Sequence, residues 1–349
     1  MPKPISTAVL SYGMSGRVFH CPLISANKNF SIDSIVRRNG ELVSSCPDAI
    51  IYKSVDGAIA DPKIELVIVN LPNQFHFNVA ANALKAGKHV VVEKPFTVTT
   101  REAQSLISLA KKHKKLLTVF QSRRWDGDFL TIKKIVDKKW LGRVVEFVAH
   151  YDRYRNFIQT GSPKEEPGLG SGILYNLGSH MIDQALCLFG LPQYVDARVG
   201  TQRSGGKIDD WYDIRMQYKN HLVILKSSYL VREQGPRYVL HGEKGSFIKF
   251  GTDPQEQDLI KGKLPDGKRW GAEPKKYWGK LNTEFKGKHF NGKYETMLGN
   301  YPAFYNNVYD CIRKGKSPDV KASEAMAVIK IIEACIESNR KKKAIRIKK

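Results

Sequence analysis

The 349-residue chain is poor in cysteine, with Cys21, Cys46, Cys187, Cys311 and Cys335 odd in number and widely scattered. None forms a CxxC, which argues against a zinc site or a disulfide framework and for a reducing, cytoplasmic setting. Long apolar runs are also missing. No stretch approaches the roughly 18–20 apolar residues of a membrane span, which excludes an integral membrane helix. The start, Met1-Pro2-Lys3-Pro4, leads into a strand-like segment without the apolar region of a secretory signal. Acidic residues are scarce beside basic ones, 34 against 57, for a net charge of +23. Such a balance invites a nucleic-acid partner. The lysines are nevertheless spread along the chain, and no helix-turn-helix, zinc-finger or RNA-recognition signature is present. The one dense run, Arg340-Lys341-Lys342-Lys343 with Arg346, Lys348 and Lys349 beyond it, reads as a solvated helix end or frayed tail. A basic protein without nucleic-acid function is the better reading.

What is present is an ordinary globular composition, 42% hydrophobic and 26% charged, on a length that suits two domains. Up to about Gln121, β-rich runs alternate with helix-period segments. The strand candidates are Ser6–Leu10, Phe30–Val36, Ala49–Tyr52, Leu66–Leu71, His89–Glu93 and Leu116–Phe120. Continuous apolar runs such as Leu66-Val67-Ile68-Val69 suit parallel strands buried on both faces. The alternation predicts a doubly wound α/β domain over residues 1–122. Beyond it the rhythm changes to one helix near Phe129–Val136, then longer β segments, then helices around Tyr301–Lys314 and Ala322–Arg340. Residues 123–349 are expected to form an α+β domain on a large, mostly antiparallel sheet. Thr252–Asn291, rich in Gly, Pro, Lys and Asp, reads as an extended loop region.

Several motifs carry chemistry. Ser11-Tyr12-Gly13-Met14-Ser15-Gly16 follows the first strand and precedes a helix. Gly13 and Gly16 occupy the last two glycine positions of G-x-G-x-x-G, where the backbone must turn and approach a pyrophosphate. The alternative is a tight turn without a ligand. The second strand ends Arg37-Arg38-Asn39, with no carboxylate for a ribose 2′-hydroxyl and with guanidiniums suited to a 2′-phosphate, so NADP(H) is expected over NAD(H). Otherwise both arginines are plain strand-end charges. Glu93-Lys94-Pro95 ends the fifth strand, where a parallel sheet binds its ligands. In the second domain Gly172 leads into Asn176 and His180, which share one face of a helix at i and i+4, with Asp183 one turn on.

These blocks, in this order and spacing, resemble the Gfo/Idh/MocA oxidoreductases over nearly the whole chain. Tyr12–His20, Arg123-Arg124-Trp125-Asp126, Asp128–Thr131, Gly235–Tyr238 and Ser246–Lys249 resemble the NADP-dependent scyllo-inositol dehydrogenase branch. The resemblance implies an N-terminal Rossmann domain and a C-terminal open-faced sheet. It implies a hydride exchanged between nicotinamide and a cyclic polyol or sugar, without a metal. Lys94 would orient substrate and nicotinamide, and His180 would be the general acid/base. Leu71, Pro72, Asn73 and His76 would line the cofactor crevice, with Arg124 and Trp125 near the nicotinamide and Tyr154 on the substrate. Covering of the open sheet implies a homodimer or homotetramer.

Two positions depart from the pattern. Ser11 replaces a glycine, and Asn176 stands where the family usually has Asp. A neutral amide keeps the shape but loses the charge, which leaves three readings open. His180 suffices, with Asp183 to orient it; the protein is a slow or specialised reductase; or it binds NADP(H) as a non-catalytic regulator or sensor.

Overall fold

The computed structural model describes residues 3–39, 41, 43, 45–161, 165–285 and 287–348, so Met1, Pro2 and Lys349 lie outside it. The strands are β1 (Ile5–Val9), β2 (Phe30–Val36), β3 (Ile50–Tyr52), β4 (Leu66–Val69), β5 (His89–Val92), β6 (Leu117–Val119), β7 (Val144–His150), β8 (Tyr194–Gly200), β9 (Trp211–Gln217), β10 (Leu222–Ser228), β11 (Tyr238–Gly242), β12 (Gly245–Lys249), β13 (Gly279–Phe285), β14 (Lys288–Tyr294) and β15 (Ile345–Arg346). The α-helices are α1 (Cys21–Ser25), α2 (Val55–Ala60), α3 (His76–Lys85), α4 (Thr100–His113), α5 (Gly127–Asp137), α6 (Ser179–Phe189), α7 (Gln255–Ile260), α8 (Pro302–Lys314) and α9 (Ala322–Lys341).

The chain divides into two compact units: Met1–Ser122 with Pro254–Trp270 and Asn300–Met326, and Arg123–Asp253 with Gly271–Gly299 and Ala327–Lys349. A single cut at 122/123 therefore does not describe it, because two later segments fold with the first unit. The reason is packing. Phe304 and Tyr305 of α8 sit edge-on to Phe120 and Phe30, and Arg313 grips Glu65 through two hydrogen bonds of 2.7 and 2.8 Å. Helical periodicity announces that α8 buries a face, but not against what.

The first unit holds a six-stranded parallel sheet in the order β3-β2-β1-β4-β5-β6. β4 is buried throughout, as its unbroken Leu-Val-Ile-Val run requires of a strand with both faces covered. α4 opens on a capping box in which the Thr99 hydroxyl and the Glu102 carboxylate satisfy each other's backbone N–H.

The second unit carries a nine-stranded sheet, β14-β13-β12-β11-β7-β10-β9-β8-β15, antiparallel except between β7 and β10. One face is buried by alternation, with Tyr212, Ile214 and Met216 of β9 facing inward. α6 lies on that face, since the Tyr212 hydroxyl donates to the Met181 sulfur and the Tyr238 hydroxyl to Gln184 Oε1.

Two expectations are corrected here. The stretch 252–291 is not one extended loop, because it contains α7 and the β13–β14 hairpin. β13 alternates strictly, with Leu281 and Thr283 buried and Lys280, Asn282 and Glu284 exposed, a pattern concealed by Gly and Lys composition. Of the two readings of the basic run, the solvated helix end holds and the frayed tail does not: α9 ends in the exposed Arg340 and Lys341. Lys342 takes a left-handed conformation (φ 54°) and returns the chain as β15, which pairs with Tyr194 and Val195.

His89, on β5, accepts a 3.0 Å hydrogen bond at Nδ1 from the Leu116 N–H, so this nitrogen must stay unprotonated. Burial, then Lys115, press its pKa down to about 4. Between about 6.5 and about 4 the unfolded chain thus binds a proton that the native state refuses, and stability falls as pH falls through that window. His89→Asn keeps an acceptor without titrating. Urea denaturation at pH 7 and pH 4.5 is expected to show a smaller acid loss in this variant than in the parent.

Candidate active site

Site residues in the first unit cluster at the carboxyl ends of the parallel strands. After β1, the Ser11 hydroxyl accepts from the Gly13 N–H (3.2 Å), and the Asn70 amide donates to the Ser11 carbonyl (2.8 Å). Gly16 begins a π-helical turn, Gly16–His20, and a Cβ on it would stand 2.1 Å from the Ser11 carbonyl oxygen. Only glycine permits that approach. A Cβ on Gly13 would press on Ser11 Oγ at 3.3 Å, a tight contact but with one side-chain hydroxyl rather than with backbone. Asn70 Oδ1 is buried without a hydrogen-bond partner among the described residues. Sequence reading overlooked Asn70, although it is the one polar residue in the run Leu66–Leu71.

At the end of β2 the expected guanidiniums differ in their surroundings. Arg37 pairs with the Glu41 carboxylate (2.6 Å), donates to the Glu41 carbonyl (3.0 Å) and lies 5.7 Å over the Tyr12 ring, whereas Arg38 is exposed. Tyr12 is itself held by the Ser45 hydroxyl at 2.8 Å.

After β4 and β5 the geometry corrects one expectation. His76 is fully buried, with Nδ1 2.9 Å from the Pro95 carbonyl and Nε2 2.8 Å from the Leu71 carbonyl. Burial holds its pKa below the usual range. It braces the Leu71–Asn73 loop against the Lys94-Pro95 turn and does not itself face a crevice. Beside it, Glu93 accepts from the Lys94 N–H (2.9 Å) and from His20 Nε2 (3.0 Å). Burial works against this carboxylate, but the hydrogen bond from His20 and then the charge of Lys94 prevail, and its pKa is lowered.

In the second unit, Leu174–Gly178 forms a π-helical turn that runs into α6, so the helix expected from Leu174 to Phe189 changes winding between Asn176 and His180. Asn176 is half-buried and its carbonyl accepts from the Ser179 hydroxyl (3.3 Å), while His180 is buried. Asp183 is paired through both oxygens with Arg124 at 2.8 and 2.7 Å. That bidentate bond anchors Arg124, with Trp125 next to it, to the His180 helix. The turn's entry depends on Asp209, which sequence reading missed. Its Oδ2 accepts from the Leu174 N–H at 2.8 Å, and a Cβ on Gly172 (φ +90°) would fall 1.9 Å from its Oδ1. Burial pushes the Asp209 carboxyl up. Tyr154 is exposed, bridged by backbone to Leu230, with the Arg232 guanidinium 4.5 Å from its ring centre.

The donor set of the first unit fits a dinucleotide. A glycine backbone leads into a helical turn, an orphaned amide oxygen lies beside it, and the sheet order places the β1/β4 switch point there. Among the described residues no group of His, Cys, Asp or Glu could hold a metal ion, and no helix is long and apolar enough to cross a membrane. Such a fold with such strand ends defines a nucleotide-dependent oxidoreductase. The chain belongs to the Gfo/Idh/MocA oxidoreductase family, whose NAD-binding Rossmann model matches residues 5–121 and whose C-terminal alpha/beta model matches residues 133–347. It is 39% identical to scyllo-inositol 2-dehydrogenase (NADP(+)) IolW of Bacillus subtilis, over 98% of this chain and 95% of that one. Among solved structures, a putative oxidoreductase of Bacteroides fragilis superposes with a TM-score of 0.91 at 44% identity, covering 99% of this chain and 100% of that one. The putative oxidoreductase yvaA of B. subtilis does so with 0.96 at 38%, covering 99% of each.

The glycine geometry separates two variants. Gly16→Ala must displace the Ser11 carbonyl, at a cost of roughly 2–3 kcal/mol and a fall in Tm of about 5 °C or more. Gly13→Ala, which displaces a single hydroxyl, should lower Tm by less than Gly16→Ala, about 3 °C at most, yet weaken binding of a nicotinamide dinucleotide. Thermal melts beside fluorescence titration distinguish the two effects.

Proposed function

We propose that the protein is an NADP(H)-dependent oxidoreductase acting on the CH–OH groups of a cyclic polyol or sugar of the inositol/inosose kind. The observation that carries this reading is Lys94, following β5 at the edge where the Gly13–Gly16 turn lies, its backbone held by a buried carboxylate. Likeness to an NADP-dependent scyllo-inositol dehydrogenase supports the substrate class. The preference for NADP(H) is supported by the exposed Arg38 and by the lack of a carboxylate in Arg37-Arg38-Asn39. Arg37 contributes less freely, because a phosphate would compete with Glu41 for it.

Ser11, Gly13, Met14, Ser15 and Gly16 would hold the pyrophosphate, Arg37 and Arg38 the 2′-phosphate, and Leu71, Pro72 and Asn73 the nicotinamide side with Glu93, Arg124 and Trp125. Bound there, the cofactor supplies hydride chemistry at C4 of its ring. The Lys94 ammonium orients the substrate oxygen and stabilises it as its charge changes. His180 takes the hydroxyl proton in oxidation and returns it in reduction, a task suited to an imidazole in either direction. Tyr154 and Asn176 contact the substrate. In this reading residues 1–122, with 254–270 and 300–326 folded onto them, form the cofactor domain, and the remainder of 123–349 supplies the substrate side and the contacts of a cytoplasmic homodimer or homotetramer.

Purified protein with NADP⁺ and a panel of inositols and aldoses, followed by nicotinamide absorbance, is the test. Turnover is expected, with His180→Ala at least about 100-fold slower. Arg38→Ala should weaken NADPH roughly tenfold while leaving NADH within about twofold. Silence across the panel in both directions contradicts the reading. Asn176 favours a second one, a non-catalytic NADP(H) sensor. A gain of activity in Asn176→Asp from an inert parent would support it, whereas a parent already active removes it.

A further inference from the structure

Three buried polar groups of the first unit form a chain that packing alone does not require. Tyr305 Oη lies 2.6 Å from His20 Nδ1, His20 Nε2 lies 3.0 Å from Glu93 Oε1, and Glu93 Oε2 accepts from the Lys94 N–H at 2.9 Å. Tyr305 and His20 are completely buried, and Glu93 is 9% exposed. Their surroundings are aromatic: Phe120 lies 4.6 Å from the His20 ring, and Phe30 and Phe304 stand edge-on to Tyr305. Phe and Leu would fill such a space without the cost of burying a hydroxyl, an imidazole and a carboxylate. A fully connected polar network in an apolar setting fixes one geometry. Here each link is satisfied, and the chain ends on the backbone of the residue after β5.

We propose that Tyr305 and His20 are positioning residues for the redox reaction, acting through Glu93 to fix the backbone and the charge beside Lys94. This rests on the reading of Lys94 as substrate orienter. A carboxylate only accepts, so His20 Nε2 must carry its proton and donate to Glu93. Burial, with Glu93 and Cys21, raises the Tyr305 phenol well above its ordinary range, so its hydroxyl stays protonated. His20 closes the turn that begins at Gly16, and the same imidazole thereby ties the phosphate-side turn to the Lys94 strand end. Helix α8 delivers Tyr305, which gives the return of residues 300–326 to the first unit a functional consequence.

The experiment compares Tyr305→Phe, His20→Gln and His20→Leu with Lys94→Ala, each checked by thermal melting. Rates are taken with NADPH and scyllo-inosose, and NADPH affinity by fluorescence. Tyr305→Phe is expected to keep KM and NADPH affinity within about twofold while lowering kcat roughly 5- to 20-fold. His20→Gln, which retains an N–H for Glu93, should be several-fold faster than His20→Leu. Without substrate, the parent should show an imidazole N–H proton protected from solvent exchange in NMR spectra, lost in His20→Gln. Unchanged kcat in Tyr305→Phe and His20→Leu, with Lys94→Ala inactive, would overturn the positioning role and leave Lys94 standing. Unchanged rates in Lys94→Ala as well would remove the Lys94 reading and the proposal with it. Equal losses of kcat, KM and affinity in both His20 variants would mark a scaffold role only, and absence of the protected proton overturns the proposal whatever the rates.

Discussion

An all-parallel sheet delivers the carboxyl ends of its strands to one edge, and the first unit is built on that constraint. With the order β3-β2-β1-β4-β5-β6, the chain leaves β1 and β4 in opposite directions, so a crevice opens outside their ends. The residues of this unit proposed to touch cofactor or substrate each follow a strand: Ser11–Gly16 after β1, Arg37 and Arg38 after β2, Leu71–Asn73 after β4, Lys94 after β5. Hydrogen bonds that cross between strand ends then fix their mutual geometry. Asn70 clasps the β1 turn, His76 spans the loops after β4 and β5, and His20 joins the β1 turn to Glu93.

The second unit solves a different problem, holding two polar side chains on a helix above an apolar sheet face. Asp209 caps the entry to the π-helical turn, Arg124 grips Asp183 one turn beyond His180, and Tyr238 and Tyr212 fasten α6 from below. Breaking the Arg124–Asp183 pair would leave a charge buried without its partner, the costly way to lose an ion pair. Its strength comes from bidentate geometry and burial more than from charge count. The same unit buries Lys249 against Glu273, tying β12 to the segment before the β13–β14 hairpin.

Much of the architecture was legible in the sequence because apolar runs and helical periods report burial directly. β2 matches its expected span residue for residue, and the other strands of the parallel sheet differ only at their ends. The Gly13–Gly16 turn and the Glu93-Lys94-Pro95 strand end were legible because glycine and strand position have steric and topological meanings. What stayed hidden depends on partners far away in sequence. Asp209 looks like an ordinary loop carboxylate until Gly172 closes on it, and Tyr305 like an ordinary core aromatic until His20 reaches its hydroxyl. His76, adjacent to the crevice in sequence, turns inward because two carbonyls claim its ring. The β13–β14 hairpin escaped notice because its exposed face is rich in Lys and its turns in Gly, the composition of a loop.

The claim on which the functional account stands is that these strand ends form a preorganised site for a phosphorylated nicotinamide dinucleotide. Isothermal titration calorimetry of the full chain with NADPH and NADH tests it without any assumption about substrate. The account predicts saturable one-site binding of NADPH per chain, tighter than NADH by about tenfold or more. Absence of binding heat for both dinucleotides, supported by unchanged thermal melting in their presence, would contradict it.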